Sequence, residues 1–136
     1  MKVLITGGAG FIGSHLSDMF INSGESVYVL DDLSTGTLSN IQHLLDHKKF
    51  IFQKGSILDR NLVEKLVKKV DIVYHLAAVV GVNLILTEQV KTIRTNVLGT
   101  EIMLEFSNKY NKKIIIASSS EIYGRGMNEE FSEEDD

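Results

Sequence analysis

The amino-acid sequence predicts an α/β fold, a doubly wound parallel sheet with helices on both faces. Three observations lead to this class. Strand-like and helix-like segments alternate along the 136 residues, a glycine-rich turn follows the first strand, and acidic residues end the second. Strands joined by helices pair in parallel through right-handed crossovers. We therefore expect the strand order 3-2-1-4-5, with a ligand over the carboxyl ends of the strands, between the first and the fourth.

The predicted elements follow one another in a regular order. Apolar, β-branched runs indicate strands at residues 2–6, 26–30, 50–53, 71–76 and 113–117. Apolar residues at helical spacing predict helices over 11–23 and 59–70, the first ended by Gly24 and the second capped by Asp59. A short helix is expected over 40–45. A long helix is expected to begin at Thr87 and to end near Tyr110, and a loop covers residues 118–123.

Three of these helices have an apolar stripe, which is the primary signal of an amphipathic helix. In the helix over 59–70 it consists of Leu62, Val63, Leu66, Val67 and Val70. The stripe of the first helix consists of Phe11, Ile12, Leu16, Met19 and Phe20. The stripe of the long helix includes Val90, Ile93, Val97, Leu98, Met103, Leu104 and Phe106.

The turn after the first strand has the composition of a phosphate-binding site. Residues 7–13 read Gly-Gly-Ala-Gly-Phe-Ile-Gly. A Cβ at Gly7 or Gly10 would block either the turn or the close approach of a pyrophosphate. The helix that starts near Phe11 offers unpaired N–H groups and the positive end of its dipole to phosphates. Gly13 lets this helix lie close to the first strand. The turn therefore predicts a dinucleotide site.

The end of the second strand supplies the matching acidic group. Asp31 lies about 20 residues after the turn, where a carboxylate accepts hydrogen bonds from both ribose hydroxyls of an adenosine. The same carboxylate would repel a 2′-phosphate. We therefore expect NAD and not NADP as the cofactor. A chance glycine cluster in an ordinary turn would explain the glycines but not the strand, the helix and Asp31 around them.

Composition excludes several other classes of function. The chain has 14 basic and 18 acidic residues and a formal net charge of −4. Without a basic block, nucleic acid and anionic membranes are not expected as partners. The absence of cysteine excludes a disulfide framework and a thiolate metal site. Met1 leads directly into a core strand and no apolar stretch reaches membrane-spanning length, so a cytoplasmic location without a signal peptide is expected.

No metal site is expected. His75 ends an apolar strand and is interpreted as structural. His43 and His47 are four residues apart, but Asp46 alone does not complete a set of ligands with them. His15 is interpreted as a surface residue. Residues 129–136 contain six acids, but no histidine or rigid element organises them into a metal site.

Five motifs of the chain are similar to the motifs of one family. They are TGGAGFIG at 6–13, LDDLSTG at 30–36, HLAA at 75–78, TNVLGT at 95–100 and SSSEIYG at 118–124. Together they resemble the phosphate turn, ribose loop, cofactor-packing segment, site-supporting helix and active-site serine loop of the extended short-chain dehydrogenase/reductase family. Within that family the chain resembles the NAD-dependent nucleotide-sugar epimerases and dehydratases. The resemblance runs over all 136 residues.

The resemblance implies a Rossmann-like NAD-binding domain with contacts from the ends of all five strands. The implied cofactor-binding residues are Gly7, Gly10, Phe11, Ile12, Gly13, Asp31, Asp32, Ser34, Thr35, Gly36, Ser56, Ile57, Leu76, Ala77, Ala78, Asn96 and Ser118. Two positions depart from the family pattern. Asparagine is commoner than Asp32, and Ser56 stands where an aspartate usually holds the adenine amino group, so we expect adenine to be held more weakly.

The resemblance also implies a reaction. In these enzymes NAD stays bound and takes a hydride from a nucleotide-diphosphate sugar, usually at C4, leaving a keto intermediate. Ser119 is then expected to hydrogen-bond the reacting hydroxyl and to polarise the developing ketone. Ser120 and Glu121 are further catalytic candidates. A carboxylate at Glu121 favours elimination or proton relay, as in dehydratases and decarboxylases, over simple epimerisation. A solvated loop glutamate is the alternative.

One part of the family's machinery is missing from the 136 residues. Its proton shuttle is a tyrosine followed four residues later by a lysine, but Tyr28, Tyr74, Tyr110 and Tyr123 are followed there by Asp32, Ala78, Ile114 and Met127. We therefore expect residues 1–136 to be an incomplete NAD-binding domain, the amino-terminal part of a longer enzyme. It would lack the last strands and the substrate-binding domain, and be inactive alone.

Two other functions remain open. One is a non-catalytic NAD-binding protein with a regulatory or interaction role. The other is a subunit that acts through the long helix from Thr87 to Tyr110, since in the family this helix joins two copies in a homodimer.

Overall fold

The structure is a computed structural model and describes residues 1–81 and 86–123, without the side chains of Ser120 and Glu121. The acidic residues 129–136 therefore lie outside the described residues, and so does Gly124 of the serine-loop motif.

Five parallel strands form one sheet in the order β3-β2-β1-β4-β5. They are β1 (Lys2–Thr6), β2 (Ser26–Asp31), β3 (Phe50–Lys54), β4 (Ile72–His75) and β5 (Lys113–Ile116). Val3 of β1 pairs with Val27 on one side and with Ile72 on the other, so β1 lies at the centre. The predicted fold class and strand order are confirmed, and each strand agrees with its predicted range to within one residue at either end.

The chain forms the helices α1 (Phe11–Asn22), α2 (Arg60–Val67), α3 (Gln89–Ile93) and α4 (Gly99–Lys109). The Asp59 carboxylate accepts a hydrogen bond from Leu62 N–H at 3.0 Å, which confirms the predicted cap of α2. Gly24 follows α1 with a φ of 79° and donates its N–H to Ile21 O at 2.9 Å. This conformation favours glycine and ends the helix as predicted.

The short helix expected over 40–45 is 3₁₀ and not α-helical. Two short 3₁₀ turns, Leu38–Asn40 and Gln42–Leu44, cover this part of the chain instead. Ile41 is fully buried between them, and Asn40 donates a hydrogen bond to Ala9 O, 31 residues away. Contacts with distant residues therefore decide the backbone here, against the local helical pattern.

The predicted long helix is present, and its backbone is helical from Gln89 to Lys109. A π-helical turn, Arg94–Leu98, joins α3 to α4. The N-cap position of α3 is Glu88 and not Thr87 as predicted, and α4 ends at Lys109. The π turn contains Asn96, whose side chain binds the backbone of Val79. Such turns are rare and occur often at functional sites.

An apolar layer packs on each face of the sheet. Alternate residues of β1 point to opposite faces, because side chains in a strand alternate. On one face Leu4 packs with residues of α2 and α4, among them Val67 and Met103. On the other face Val3 and Ile5 pack with α1 and the 3₁₀ segment. This second layer contains Val3, Ile5, Ala9, Phe20, Ile21, Val27, Val29, Ile41, Leu44 and Phe50.

The apolar stripes are only partly buried. In α1, Phe20 is buried, but Phe11 is 79% exposed. The other exposed stripe residues are Ile12, Met19, Val90, Ile93, Val97 and Leu104. Within residues 1–81 and 86–123, no helix has the length and apolar character needed to cross a lipid bilayer.

Candidate functional site

The carboxyl ends of the strands surround a cleft of about 670 Å³. This volume is in the usual range for small-molecule and cofactor sites. Every predicted cofactor residue except Ser56 lines it, and so does Ser119. The lining therefore includes Gly7, Gly10, Phe11, Ile12, Gly13, Asp31, Asp32, Ser34, Thr35, Gly36, Ile57, Leu76, Ala77, Ala78, Asn96 and Ser118.

The phosphate turn is built around Gly7, which has a φ of 71°. Its N–H donates to Leu30 O at 2.9 Å. A Cβ at Gly7 would lie 2.8 Å from Ala77 N, so both its conformation and its closeness to the segment after β4 require glycine. A Cβ at Gly13 would lie 2.4 Å from Gly7 O, so Gly13 seats α1 against the turn itself. The sequence predicts close contact of this helix with β1, and the turn that directly follows β1 provides the contact.

The start of α1 is open toward the cleft. Gly10 occupies the N-cap position and offers no side chain to bond the first amides of the helix. The first N–H groups of any helix lack an acceptor within it. Phe11 and Ile12, which carry two of these groups, line the cleft. The turn therefore presents amide donors and the positive end of a helix dipole to a bound anion.

Asp31 is buried, with 8% of its surface exposed, and its carboxylate lies beside this turn. Its Oδ2 accepts a hydrogen bond from Ala9 N–H at 2.9 Å, and its Oδ1 accepts one from Leu33 N–H at 2.8 Å. These two bonds fix the direction of the carboxylate. Each oxygen retains a further lone pair for a ligand hydroxyl. The predicted ribose-binding group is thus oriented by backbone donors before any ligand arrives.

The apolar strand end at His75 contains a polar network that the sequence did not indicate. His75 is 3% exposed. Its Nδ1 lies 2.7 Å from Thr6 Oγ1, and its Nε2 lies 3.1 Å from Thr100 Oγ1. Thr6 Oγ1 also accepts from Ala77 N–H at 3.2 Å, and the Thr100 hydroxyl donates to Asn96 O at 2.7 Å. The network connects β1, β4, α4 and the π turn.

The other bonds of the two threonines define the tautomer of His75. Because Thr100 gives its proton to Asn96 O, it accepts from Nε2–H, and Nδ1 accepts from the Thr6 hydroxyl. Burial lowers the pKa of His75 from 6.5 to about 4, which keeps the ring neutral. The interpretation of His75 as structural agrees with these contacts. Among the described residues, no group of three or more acidic or histidine side chains could hold a metal ion.

Asn96 holds the segment after β4 through its side-chain amide. Its Oδ1 accepts from Val79 N–H at 2.7 Å, and its Nδ2 donates to Val79 O at 3.0 Å. One side-chain amide thus binds both polar groups of a single residue. The segment from Leu76 to Val79 is held in this way along the wall of the cleft.

Ser56 does not line the cleft, although Gly55 and Ile57 do. Its Oγ accepts a hydrogen bond from Leu58 N–H at 3.2 Å, which turns the chain after β3 toward α2. The Ser56 hydroxyl therefore bonds the backbone of its own loop. Ser56 departs from the family pattern in the sequence, and it is also the predicted cofactor residue that does not line the cleft.

The serine loop follows β5 and leads to a 3₁₀ turn, Ser120–Tyr123. Ser118 and Ser119 are exposed and line the cleft. Ile122 N–H donates to Ser119 O at 3.2 Å. The side chains of Ser120 and Glu121 lie outside the described part of the chain.

Sequence reasoning missed three residues that shape this site. They are Thr6 and Thr100, which bond His75, and Asn40, which bonds the phosphate turn. Thr6 and Thr100 belong to two of the five motifs, but neither motif indicates a contact with His75, and Asn40 lies outside all five. A buried threonine at a strand end, directly before a glycine turn, is the one local signal that could have pointed to Thr6.

A glycine turn, an oriented carboxylate after β2 and a cleft at the switch point of a 3-2-1-4-5 sheet together define the Rossmann class. Residues 4–136 match the family model described as GDP-mannose 4,6 dehydratase. The chain belongs to this family. The predicted kinship with nucleotide-sugar epimerases and dehydratases is thereby confirmed.

Relatives of known activity include two kinds of enzyme. A UDP-N-acetyl-alpha-D-glucosaminuronate decarboxylase of Bacillus cytotoxicus is 42% identical over 135 residues, which are 99% of this chain and 41% of that protein. A dTDP-D-glucose 4,6-dehydratase of Dictyostelium discoideum is 42% identical over 137 residues, covering 95% of this chain and 31% of that protein.

Solved structures of similar fold contain NAD. The dTDP-glucose 4,6-dehydratase of Bacillus anthracis, in complex with NAD, is 33% identical with a TM-score of 0.85, covering 100% of this chain and 43% of that one. The UDP-glucose 4-epimerase of Bifidobacterium longum, in complex with NAD⁺ and UDP, is 28% identical with a TM-score of 0.86. The match covers 98% of this chain and 42% of that one. The chain thus spans about two fifths of the length of most of these relatives.

Proposed function

We propose that residues 1–136 bind NAD in this cleft, as the nucleotide-binding part of a nucleotide-sugar epimerase or dehydratase. The observation that carries the proposal is the Asp31 carboxylate, which backbone donors hold beside the phosphate turn. Two similar structures, 33% and 28% identical, were solved with NAD in them. The match of the family model to residues 4–136 supports the same conclusion.

Each part of the cleft then has a role. The amides at the start of α1 bind the diphosphate, and Asp31 binds the adenosine ribose. Leu76, Ala77 and Ala78 pack along the cofactor toward its nicotinamide end. NAD, when bound, accepts and returns a hydride. The residues of the cleft hold the cofactor in place.

The serine loop supplies the polar groups next to the reacting centre in this proposal. Ser119, which lines the cleft, donates a hydrogen bond to the sugar oxygen that becomes a ketone. Ser120 and Glu121 are proposed to take part in proton transfer. A carboxylate at Glu121 supports elimination chemistry, and the decarboxylase alternative is supported by the 42% identity to a nucleotide-sugar decarboxylase.

Binding without turnover is expected of the 136 residues alone. None of their four tyrosines is followed four residues later by a lysine, so the proton shuttle of the family is not among them. The same observation favours a second candidate function, a non-catalytic NAD-binding protein with a regulatory or interaction role. A nucleotide-diphosphate sugar is proposed as the substrate only of a protein that also contains the shuttle and a substrate-binding region.

We further propose that two copies of the chain associate through the face of α3, the π turn and α4. Val90, Ile93 and Val97 are 72%, 62% and 64% exposed and recur at helical spacing. Leu104 extends the same stripe with 44% exposure. Large exposed apolar patches mark interaction sites on the surfaces of proteins. A cytoplasmic location, without nucleic acid or membrane partners, remains a prediction from composition.

Calorimetric titration of the chain with NAD tests the main proposal. Asp31→Ala removes charge-assisted hydrogen bonds to the ribose, and we expect roughly a tenfold to hundredfold loss of affinity. It should also reduce the preference for NAD over NADP, because the charge that repels a 2′-phosphate is gone. Asp46→Ala, at an exposed position outside the cleft, is the matched control. Absence of NAD binding, or equal binding by Asp31→Ala, would exclude the proposal.

A further inference from the structure

The phosphate turn and the segment after β2 are joined through one buried residue, Ala9. Its N–H donates to Asp31 Oδ2 at 2.9 Å. Its carbonyl oxygen accepts from Asn40 Nδ2 at 2.9 Å and from Thr37 N–H at 3.1 Å. Ala9 is fully buried. Every polar group of this residue is therefore bonded to the 31–40 segment.

These bonds fix the peptide plane between Ala9 and Gly10. At the opposite end of that plane, Gly10 N–H donates to Gly7 O at 3.1 Å. A peptide group is planar, so the direction of its carbonyl sets the direction of its N–H. The free amides of α1 begin one residue later. Their position relative to Asp31 therefore depends on how the Ala9 carbonyl is held.

The two segments approach each other as closely as their backbones allow. A Cβ at Gly36 would lie 2.9 Å from the carbonyl carbon of Ala9 and 3.0 Å from its oxygen. No side chain fits between them. The position of the turn is thus set by direct backbone contact at Gly36 and by the hydrogen bonds to Ala9 O.

We propose that Asn40 is a positioning residue for NAD. Its amide donates to the Ala9 carbonyl and so keeps the diphosphate-binding amides in register with the ribose-binding carboxylate of Asp31. Asn40 does not line the cleft, so it acts on the cofactor only through Ala9. The inference rests on the proposed NAD site and adds a residue outside that site.

Two variants of Asn40 test this role. Asn40→Ala removes the donor, and Asn40→Asp keeps the shape but places an oxygen that cannot donate against Ala9 O. We expect each to weaken NAD binding roughly threefold to tenfold, since Thr37 N–H still bonds the carbonyl. Adenosine, which has the ribose but no diphosphate, should bind as it does to the wild-type chain. Asn22→Asp, at an exposed position at the end of α1, controls for the added charge.

NMR titrations measure both ligands, and the spectra show that each variant is folded. Unchanged NAD affinity in both variants would overturn the inference. Wild-type behaviour of Asn40→Asp would also overturn it, because it would reduce the role of Asn40 to filling space. Equal weakening of NAD and adenosine would indicate a general structural role and would overturn it as well.

A readout in the free protein separates this inference from the proposed function. The Gly10 nitrogen is conjugated with the Ala9 carbonyl, so losing a hydrogen bond to that oxygen should shift the Gly10 amide resonance. We expect the shift in both Asn40 variants and not in Asn22→Asp. An unshifted Gly10 would refute the link between Asn40 and Ala9 whether or not NAD binds. Absence of NAD binding to the wild-type chain would instead refute the proposed function, and with it the role of Asn40 toward NAD.

Discussion

At the scale of single residues, His75 makes the stability of the protein depend on pH. Burial lowers its pKa from 6.5 to about 4, so between these values the unfolded chain binds a proton that the folded chain does not. The free energy of unfolding should therefore fall by about 3 kcal/mol as the pH drops from 6.5 to about 4. Above pH 6.5 the contribution of the neutral His75 to stability is fully present. Chemical denaturation at several pH values measures the slope.

A glutamine at position 75 cannot be protonated and can still donate to Thr100. His75→Gln should therefore show less pH dependence in this window, at some cost in stability at neutral pH. His47→Gln, at an exposed position, is the matched control. An unchanged slope in His75→Gln would contradict the prediction.

The residues of the cleft could be predicted to different extents. Gly7 and Asp31 follow from local chemistry, because a tight turn needs glycine and a ribose needs an acceptor at a fixed distance along the chain. Asn40 could not be predicted, since its partner Ala9 lies 31 residues away. Ser56 is predicted to hold adenine only weakly, and in the structure its hydroxyl accepts from Leu58 N–H while the residue does not line the cleft.

At the scale of elements, the π turn connects a helix to the wall of the cleft. Asn96 binds Val79 N–H through Oδ1 and Val79 O through Nδ2. In Asn96→Ala the Val79 amide should lose protection from hydrogen exchange, because its acceptor is gone. Asn96→Asp keeps an acceptor and should retain most of the protection. Equal protection of Val79 in Asn96→Ala and in the wild-type chain would show that this bond does not hold the segment.

The contact between α2 and α4 includes an anchored carboxylate. Glu64 of α2 accepts a hydrogen bond from the Tyr110 hydroxyl and lies 2.9 Å from Lys109 Nζ and 3.6 Å from Lys68 Nζ. The Tyr110 hydroxyl, and after it Lys109, lower the pKa of Glu64 from 4.5 to about 2. The contribution of the Glu64 carboxylate to the stability of the folded chain is therefore fully present above pH 4.5. It is lost as the pH falls toward 2 and the carboxylate is protonated.

Removing this carboxylate should flatten the acid side of the stability profile. In Glu64→Gln we expect less loss of stability between pH 4.5 and 2 than in the wild-type chain. Acid unfolding followed by circular dichroism measures this difference. Glu101→Gln, at an exposed position of α4, is the control. Parallel acid profiles for Glu64→Gln and the wild-type chain would contradict the prediction.

At the scale of the whole molecule, the exposed stripe on α3, the π turn and α4 predicts self-association. Val97 lies near the middle of this stripe and is 64% exposed. Val97→Glu would place a charge in an apolar interface, so a wild-type dimer should become a monomer. Sedimentation at several concentrations measures the change. Met19→Glu, at a position of α1 that is 52% exposed, should leave the association unchanged. A wild-type chain that sediments as a monomer at all concentrations would contradict the proposed interface.

The sequence by itself determined the order of the elements, the parallel sheet, the glycine turn and the acidic end of β2. These features are encoded over a few neighbouring residues, as strand runs, helical spacing and backbone freedom at glycine. Only the tertiary structure decided the contact of the π turn with Val79, the neutral tautomer of His75 and the bond between Asn40 and Ala9. Each involves a hydrogen bond between residues at least 17 positions apart, and no local pattern records such a partner. The exposure of the apolar stripe on α3, the π turn and α4 was also decided by the tertiary structure. Apolar spacing predicts a helix but does not show which of its apolar residues are buried.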